Sequence, residues 1–167
     1  MKPALSEAEG RAALVEEAKR WAGRTPYTNV GAIAGAGANC AMLMYGIYRD
    51  AKVLPSDFEE PHWYSPQLHV HSPEERLIFN IEKCGGREVL ESEVKPGDVV
   101  AFLTGRSHGH LAMVVEWPRK IIQSTQRGGC QYSHGKGGRT AGCRVKFYSL
   151  WPPHPPAPET EKNDGNV

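Results

Sequence analysis

Hydrophobic positions recur at helical spacing in the first third of the chain and fall into short β-rich runs in the second half. Ala12, Ala13, Val15, Ala18, Trp21 and Ala22 follow an S-x-x-E pattern at Ser6 and Glu9 until Gly23 interrupts them. That spacing predicts an amphipathic helix over residues 7–22, opened by a capping box. A second apolar set, Cys40, Met42, Leu43, Met44, Ile47 and Tyr48, starts directly after Asn39. Asparagine is a favourable N-cap, so a mostly buried helix is expected to begin at Cys40 and end near Lys52. Between the two, Pro26, Gly31, Gly35 and Gly37 predict an irregular stretch where backbone passes close to other atoms. Ser72, Pro73 and Glu75 give a second capping box and predict a further helix of about a dozen residues, stopped at Gly85-Gly86.

Beyond residue 98 the period changes. Residues 99–103, 111–117, 121–124 and 144–148 are short runs separated by turn residues, as an antiparallel sheet requires. Helices first and strands afterwards predict an α+β domain over residues 1–151. Residues 53–71, with Pro55, Pro61 and Pro66, read as a long surface excursion, and six glycines between Thr125 and Gly142 read as a mobile loop or hairpin tip. From Pro152 onward proline and charged residues dominate, so residues 152–167 are expected to form a disordered tail.

Composition narrows the function classes. With 167 residues there is room for one domain of ordinary size, and 20 basic against 19 acidic side chains leave a net charge of +1, which gives no charge reason to expect nucleic acid. No apolar stretch approaches the roughly 18 residues of a membrane span. The start, Met-Lys-Pro-Ala-Leu-Ser-Glu, runs into charge instead of a signal-peptide apolar region, so a product made in the cytoplasm is expected. Cysteines at 40, 84, 130 and 143 are too few for a disulfide-built scaffold and form no C-x-x-C pair.

One of those cysteines is placed for chemistry. A thiol attacks a carbonyl as thiolate, and the partial positive charge of a helix start favours that form at Cys40. Such a nucleophile needs an imidazole, and the imidazole needs a third group to hold its tautomer. His110 stands immediately before one apolar run and Gln123 lies on the next, so adjacent antiparallel strands would bring them within reach. On residues alone the trio competes with an inert core cysteine. His108 is an alternative base or a substrate contact, and otherwise a solvated turn residue. Together with His69, His71 and His110 it also suggests a metal site built from H-x-H pairs, but no carboxylate or cysteine stands at ligand spacing, so surface histidines near a cleft are the better reading and no metal or cofactor is called for. Cys84 reads as packing. Cys130 and Cys143 bracket the glycine-rich loop and would close it only in an oxidising space. Trp151 is expected to pack the chain end onto the sheet, and Glu74 and Glu75 to be solvated or capping.

Thr25-Pro26-Tyr27, a glycine-rich stretch, Asn39-Cys40-Ala41 opening a helix, Pro96-Gly97-Asp98-Val99-Val100 and His110-Leu111-Ala112-Met113-Val114 together resemble the NlpC-type peptidoglycan endopeptidases, over roughly residues 8–151. The resemblance implies a papain-like cysteine hydrolase fold, with N-terminal helices carrying the nucleophile and a C-terminal antiparallel sheet carrying the histidine. It implies cleavage within peptidoglycan peptide stems, commonly between D-γ-glutamate and diaminopimelate. Cys40 falls on the nucleophile, His110 on the general base and Gln123 on the third polar position, often histidine in secreted relatives. Tyr27 falls on the cleft tyrosine; with Asn39 and His108 it completes the expected substrate contacts. Relatives that read a free stem N-terminus show Asp-Cys-Ser, and Asn39-Cys40-Ala41 lacks the carboxylate and hydroxyl that would hold an ammonium. The absence of wall-binding repeats, with Leu68-His69-Val70-His71 and Phe147-Tyr148-Ser149-Leu150-Trp151, resembles most the subgroup encoded with phage tails and gene-transfer particles. That implies tail-tip partners and action at the cell wall. The alternatives are a tail-tip assembly component with little or no activity, and a thiol acyltransferase.

Overall fold

The computed structural model describes residues 2–59, 65 and 67–152. Its first element is α1 (Glu7–Trp21), capped by Ser6, and a small hairpin of β1 (Ala32–Ile33) and β2 (Gly37–Ala38) then leads into α2 (Cys40–Asp50). Serine at the first cap gives its hydroxyl to the Glu9 carboxylate instead of to the backbone, so the expected reciprocal box does not form. Two glycines let the helices pack. A Cβ on Gly10 would sit 2.4 Å from the Trp151 ring, and one on Gly46 2.4 Å from the Trp21 ring, so each indole lies flush on a helix backbone. Trp151 therefore docks on α1, its ring under the Arg11 guanidinium, rather than on the sheet as expected.

Part of the expected excursion at 53–71 is ordered differently: Val53 and Leu54 are buried, and residues Leu68–His71 make one helical turn, α3. Pro61 and Pro66 lie outside the described residues. The next helix, α4 (Arg76–Lys83), is shorter than expected and starts after Glu75, not at Pro73. The box fails because the Ser72 hydroxyl takes only the Glu74 amide, while the Glu75 carboxylate is drawn away to His108.

The sheet has six strands: β3 (Arg87–Val89), β4 (Val99–Leu103), β5 (His108–Glu116), β6 (Lys120–Thr125), β7 (Gly129–Ser133) and β8 (Val145–Ser149). All pairings are antiparallel, in the order β3-β8-β4-β5-β6-β7. Strand β7 lies where a mobile loop was expected; Gly129, at φ +61°, lets the chain turn tightly against the Thr25 carbonyl and re-enter the sheet.

Alternation along these strands divides the core in two. Val99, Ala101, Leu111, Met113, Ile122, Cys130 and Tyr148 point to the face that α1, α2 and α4 cover. Val100, Phe102, Ala112, Val114, Ile121 and Phe147 point to the other face, where they pack together with Val89, Trp117 and Cys143. Cys130 and Cys143 thus lie on opposite sides of the sheet, and all four cysteines are free thiols. The loop-closing disulfide is thereby excluded in this fold.

The Pro96-Gly97-Asp98 turn fastens helices to sheet. Asp98, 1% exposed, binds Arg11 of α1 at 2.8 Å, and Arg11 also donates to the Pro96 carbonyl and the Ser149 hydroxyl. Tyr48 of α2 donates to the Gly97 carbonyl. A buried carboxylate is tolerated here because it is paired and hydrogen-bonded. Among the described residues no helix is long and apolar enough to cross a membrane. The expected tail lies outside the described residues from 153 onward.

Candidate active site

Cys40 is the first residue of α2. Asn39 adopts extended backbone before it, and its side-chain oxygen accepts from the Met42 amide at 2.9 Å while its carbonyl accepts from Leu43. Cap and helix dipole together put amide N–H groups around the sulfur. The approach to Cys40 is tethered to the sheet: the Ser124 hydroxyl of β6 donates to the Ala38 carbonyl at 2.7 Å.

Gln123 is the neighbour of Ser124 and points to the opposite face. Register pairs β5 with β6 as Met113 with Ile122 and Val114 with Ile121, which makes His110 and Gln123 diagonal neighbours on one face. His110 Nε2 lies 2.7 Å from Gln123 Oε1. Gln123 Nε2 in turn donates to the Ser133 hydroxyl of β7 at 2.6 Å, which orients the amide. Because an amide oxygen only accepts, Nε2 of the imidazole must be the protonated nitrogen, and Nδ1 is left to face Cys40. Ser133 was not anticipated; its signal was hidden in the glycine-rich stretch.

Electrostatics follow from this arrangement. Burial pushes the Cys40 thiol up, but its hydrogen bond with His110, the charge of that ring and the Leu111 and Ala41 amides outweigh burial and hold the thiol below the ordinary cysteine value. Burial disfavours charge on His110, yet the hydrogen bond and charge of Cys40 and the bond from Gln123 raise it above the ordinary histidine value, with Arg139 opposing. Both directions favour the charged forms, thiolate on Cys40 and imidazolium on His110. Cys84, by contrast, is pushed up to about 11 by burial, and burial also raises Cys130.

The remaining expected contacts sit as follows. Tyr27 donates to Asn29 Oδ1 at 3.0 Å; burial raises its hydroxyl, a hydrogen bond with Gln126 opposes this, and the Cys40 charge adds to it, so the hydroxyl lies within reach of the Cys40 charge. Its segment is held by β7, since Gly23 donates to the Cys130 carbonyl and Cys130 to the Thr25 carbonyl. Asn39 spends its side chain on the cap and on the Asn29 carbonyl. His108 is not a solvated turn residue. It is 8% exposed and starts β5, with its backbone N–H 2.9 Å and its Nδ1 2.8 Å from the two oxygens of Glu75. Glu75 is thus a clamp on the strand that carries His110, a role its sequence context as a cap concealed.

His69 lies over the start of β5, so close that a Cβ on Gly109 would meet its ring. Among the described residues no three His, Cys, Asp or Glu side chains converge as metal ligands would. An apolar cavity lies between α2 and α4, lined by Met44, Tyr48, Leu77, Ile81, Cys84 and Leu111. It sits on the helix-facing side of the sheet and reaches Ala41 and Leu111, the chain neighbours of Cys40 and His110, whereas the side chains of His110 and Gln123 lie on the other face.

No protein-family model matches the sequence, and no curated protein matches it. Solved structures do resemble it. NlpC2 from Trichomonas vaginalis aligns with 87% of this chain at 16% identity and a TM-score of 0.55. The NlpC/p60 domain of the peptidoglycan hydrolase SagA aligns with 81% at 13% identity and 0.55, and the peptidoglycan hydrolase RipB from Mycobacterium tuberculosis with 87% at 18% and 0.51. The chain spans 47% of the Trichomonas protein, 68% of RipB and 96% of the SagA domain. The expected papain-like α+β fold is the fold observed, shared with NlpC/p60 domains.

Proposed function

We propose that this chain is a cysteine peptidase that cleaves an amide in peptidoglycan peptide stems, between D-γ-glutamate and diaminopimelate, and that it is carried by a phage-like tail to the cell wall. The observation that carries the chemistry is the Cys40, His110 and Gln123 relay, with a thiol held low, an imidazole held high and an amide anchored on Ser133. Supporting the substrate class are the shared fold with domains of peptidoglycan hydrolases and the sequence resemblance. Supporting the tail setting is the resemblance alone, through the segments at 68–71 and 147–151.

In this reading the Cys40 thiolate attacks the scissile carbonyl carbon. Negative charge moves to the carbonyl oxygen, next to the Cys40 backbone N–H at the helix start. Collapse breaks the C–N bond, and His110 Nδ1 gives its proton to the departing amine. The thioester left on Cys40 is hydrolysed by water that His110 deprotonates, which restores thiolate and imidazolium. Gln123 takes no proton; it keeps the ring aimed through both steps.

Digestion of purified peptidoglycan, read by mass spectrometry with wild type beside Cys40→Ala, tests the activity. New stem fragments ending in D-glutamate are expected from wild type only; unchanged peptidoglycan, or equal digestion by both proteins, overturns the reading. For the tail, mass spectrometry of purified particles should find the chain in tailed fractions, and its absence there defeats that part.

A further inference from the structure

Regular pleating would put His108 and His110, two residues apart, on the same face of β5. They lie on opposite faces. Phe102 of β4 pairs with His110, but Leu103, the next residue, pairs with His108, so the register shifts and Gly109 is the extra residue of a β-bulge. Consecutive residues of β4 point to opposite faces, and their partners on β5 do the same. His110 accordingly shares the side of Phe102, their rings 5.7 Å apart, and reaches Gln123. His108 is turned to the helix-facing side, where Glu75 at the start of α4 meets it. Without the bulge one of the two histidines would have to change sides.

Contacts from one segment hold the bulge in place. The strand ladder is interrupted at His108, and its backbone N–H donates to Glu75 Oε2 at 2.9 Å instead. Its ring Nδ1 lies 2.8 Å from Glu75 Oε1, so a single carboxylate fixes both the backbone and the side chain of a residue only 8% exposed. Gly109 itself is covered by the His69 ring, which a Cβ there would strike, and the His69 carbonyl accepts from the Arg106 N–H at 2.8 Å in the turn before β5. Glu75 gives α4 no side-chain cap, so its carboxylate serves the strand and not the helix it precedes.

We infer that Glu75 is a positioning residue for His110: through its two bonds to His108 it locks the bulge at Gly109 that aims His110 at Cys40 and Gln123. Its effect is carried by two residues of strand. Reach, and not charge, is the property that matters. Glutamine has the same length and can make both bonds, its amide oxygen accepting the His108 N–H and its amide nitrogen donating to Nδ1 of the other ring tautomer. Aspartate keeps the charge but is one methylene short of spanning both atoms.

This deepens the peptidase reading, on which the role of His110 rests, and its test needs no substrate. Iodoacetamide alkylation of Cys40, followed from pH 5 to 9 by peptide mapping, reads how well His110 supports the thiolate. His110→Ala sets the profile of the unsupported thiol. Glu75→Ala should move the wild-type profile toward that limit, with alkylation at pH 6 about tenfold slower, the scale of one hydrogen bond to a charged group. Glu75→Asp should follow Glu75→Ala, and Glu75→Gln should stay near wild type. On a stem peptide Glu75→Ala and Glu75→Asp should lower kcat and leave KM almost unchanged. A thermal melt accompanies each variant. If Glu75→Ala and Glu75→Asp melt lower yet keep the wild-type alkylation profile, Glu75 is a structural contact only and the inference is overturned. It is overturned equally if Glu75→Gln is slow while Glu75→Asp matches wild type, since charge would then be what acts. If wild type and His110→Ala alkylate alike, the imidazole does not support the thiol, and the peptidase reading falls and takes the inference with it. A wild type that leaves stem peptides uncut while the alkylation series behaves as expected overturns the substrate reading and upholds the positioning role.

Discussion

Gln123→Ala removes two hydrogen bonds at once, 2.7 Å to His110 Nε2 and 2.6 Å to the Ser133 hydroxyl, from a residue 9% exposed. The imidazole N–H is left without its acceptor in a buried place, a loss of about 1–3 kcal/mol, toward the upper end when the ring is charged. At about 1.4 kcal/mol per factor of ten, kcat/KM should fall roughly 10- to 100-fold. His110→Ala should cost more, because it removes the group that moves the proton. The pH profile provides an independent readout. In the proposed mechanism activity needs Cys40 as thiolate and His110 protonated, so it should rise through the depressed thiol value and fall through the raised imidazole value. Gln123 contributes to raising His110; without it the ring loses its proton at lower pH and the alkaline limb moves down. Steady-state hydrolysis of a defined stem peptide between pH 5 and 10, with a thermal melt to check folding, measures both effects. A Gln123→Ala variant with wild-type kcat/KM and an unmoved alkaline limb refutes the orienting role. Gln123→His should keep substantial activity, since a ring nitrogen can accept the same bond.

Iodoacetamide at pH 7 should alkylate Cys40 well before Cys84 and Cys130, whose thiols burial pushes up; peptide mapping that finds either of those modified first contradicts the electrostatics. Arg11→Ala strands the buried Asp98 carboxylate and should cost about 3–5 kcal/mol in urea unfolding, with a change under 1 kcal/mol showing that the pair is not structural. Gly46→Ala forces a methyl to within 2.4 Å of the Trp21 ring and should destabilise by about 1–3 kcal/mol, whereas a neutral effect means that the helix contact is looser than described.

Elements governed by local rules were the legible ones. Asn39 announces the start of α2 because capping is a matter of a few adjacent atoms, and this alone puts Cys40 at a helix terminus. Period-two alternation in the runs at 111–117 and 121–124 was enough to suggest that His110 and Gln123 meet. What escaped depends on distant partners. Glu75 looks like a cap until β5 arrives to take its carboxylate, and α4 consequently begins later. Strand β7 is short and glycine-flanked, and it forms because β6 and the Thr25 carbonyl supply its hydrogen bonds. Cys130 and Cys143 are separated by which face of the sheet each meets, which spacing along the chain does not encode. Trp151 is drawn to α1 by a glycine more than a hundred residues earlier.

The central claim is that Cys40 is acylated by the substrate while His110 returns the proton. Acid-quenched mixtures of enzyme and stem peptide, analysed by peptide mapping and mass spectrometry, test it directly. The expected result is a thioester adduct, with the mass of the glutamyl-containing half of the stem, on the peptide containing Cys40, lost on hydroxylamine treatment and absent in Cys40→Ala. Turnover of the stem with no adduct on Cys40, undiminished in Cys40→Ala, would contradict the account.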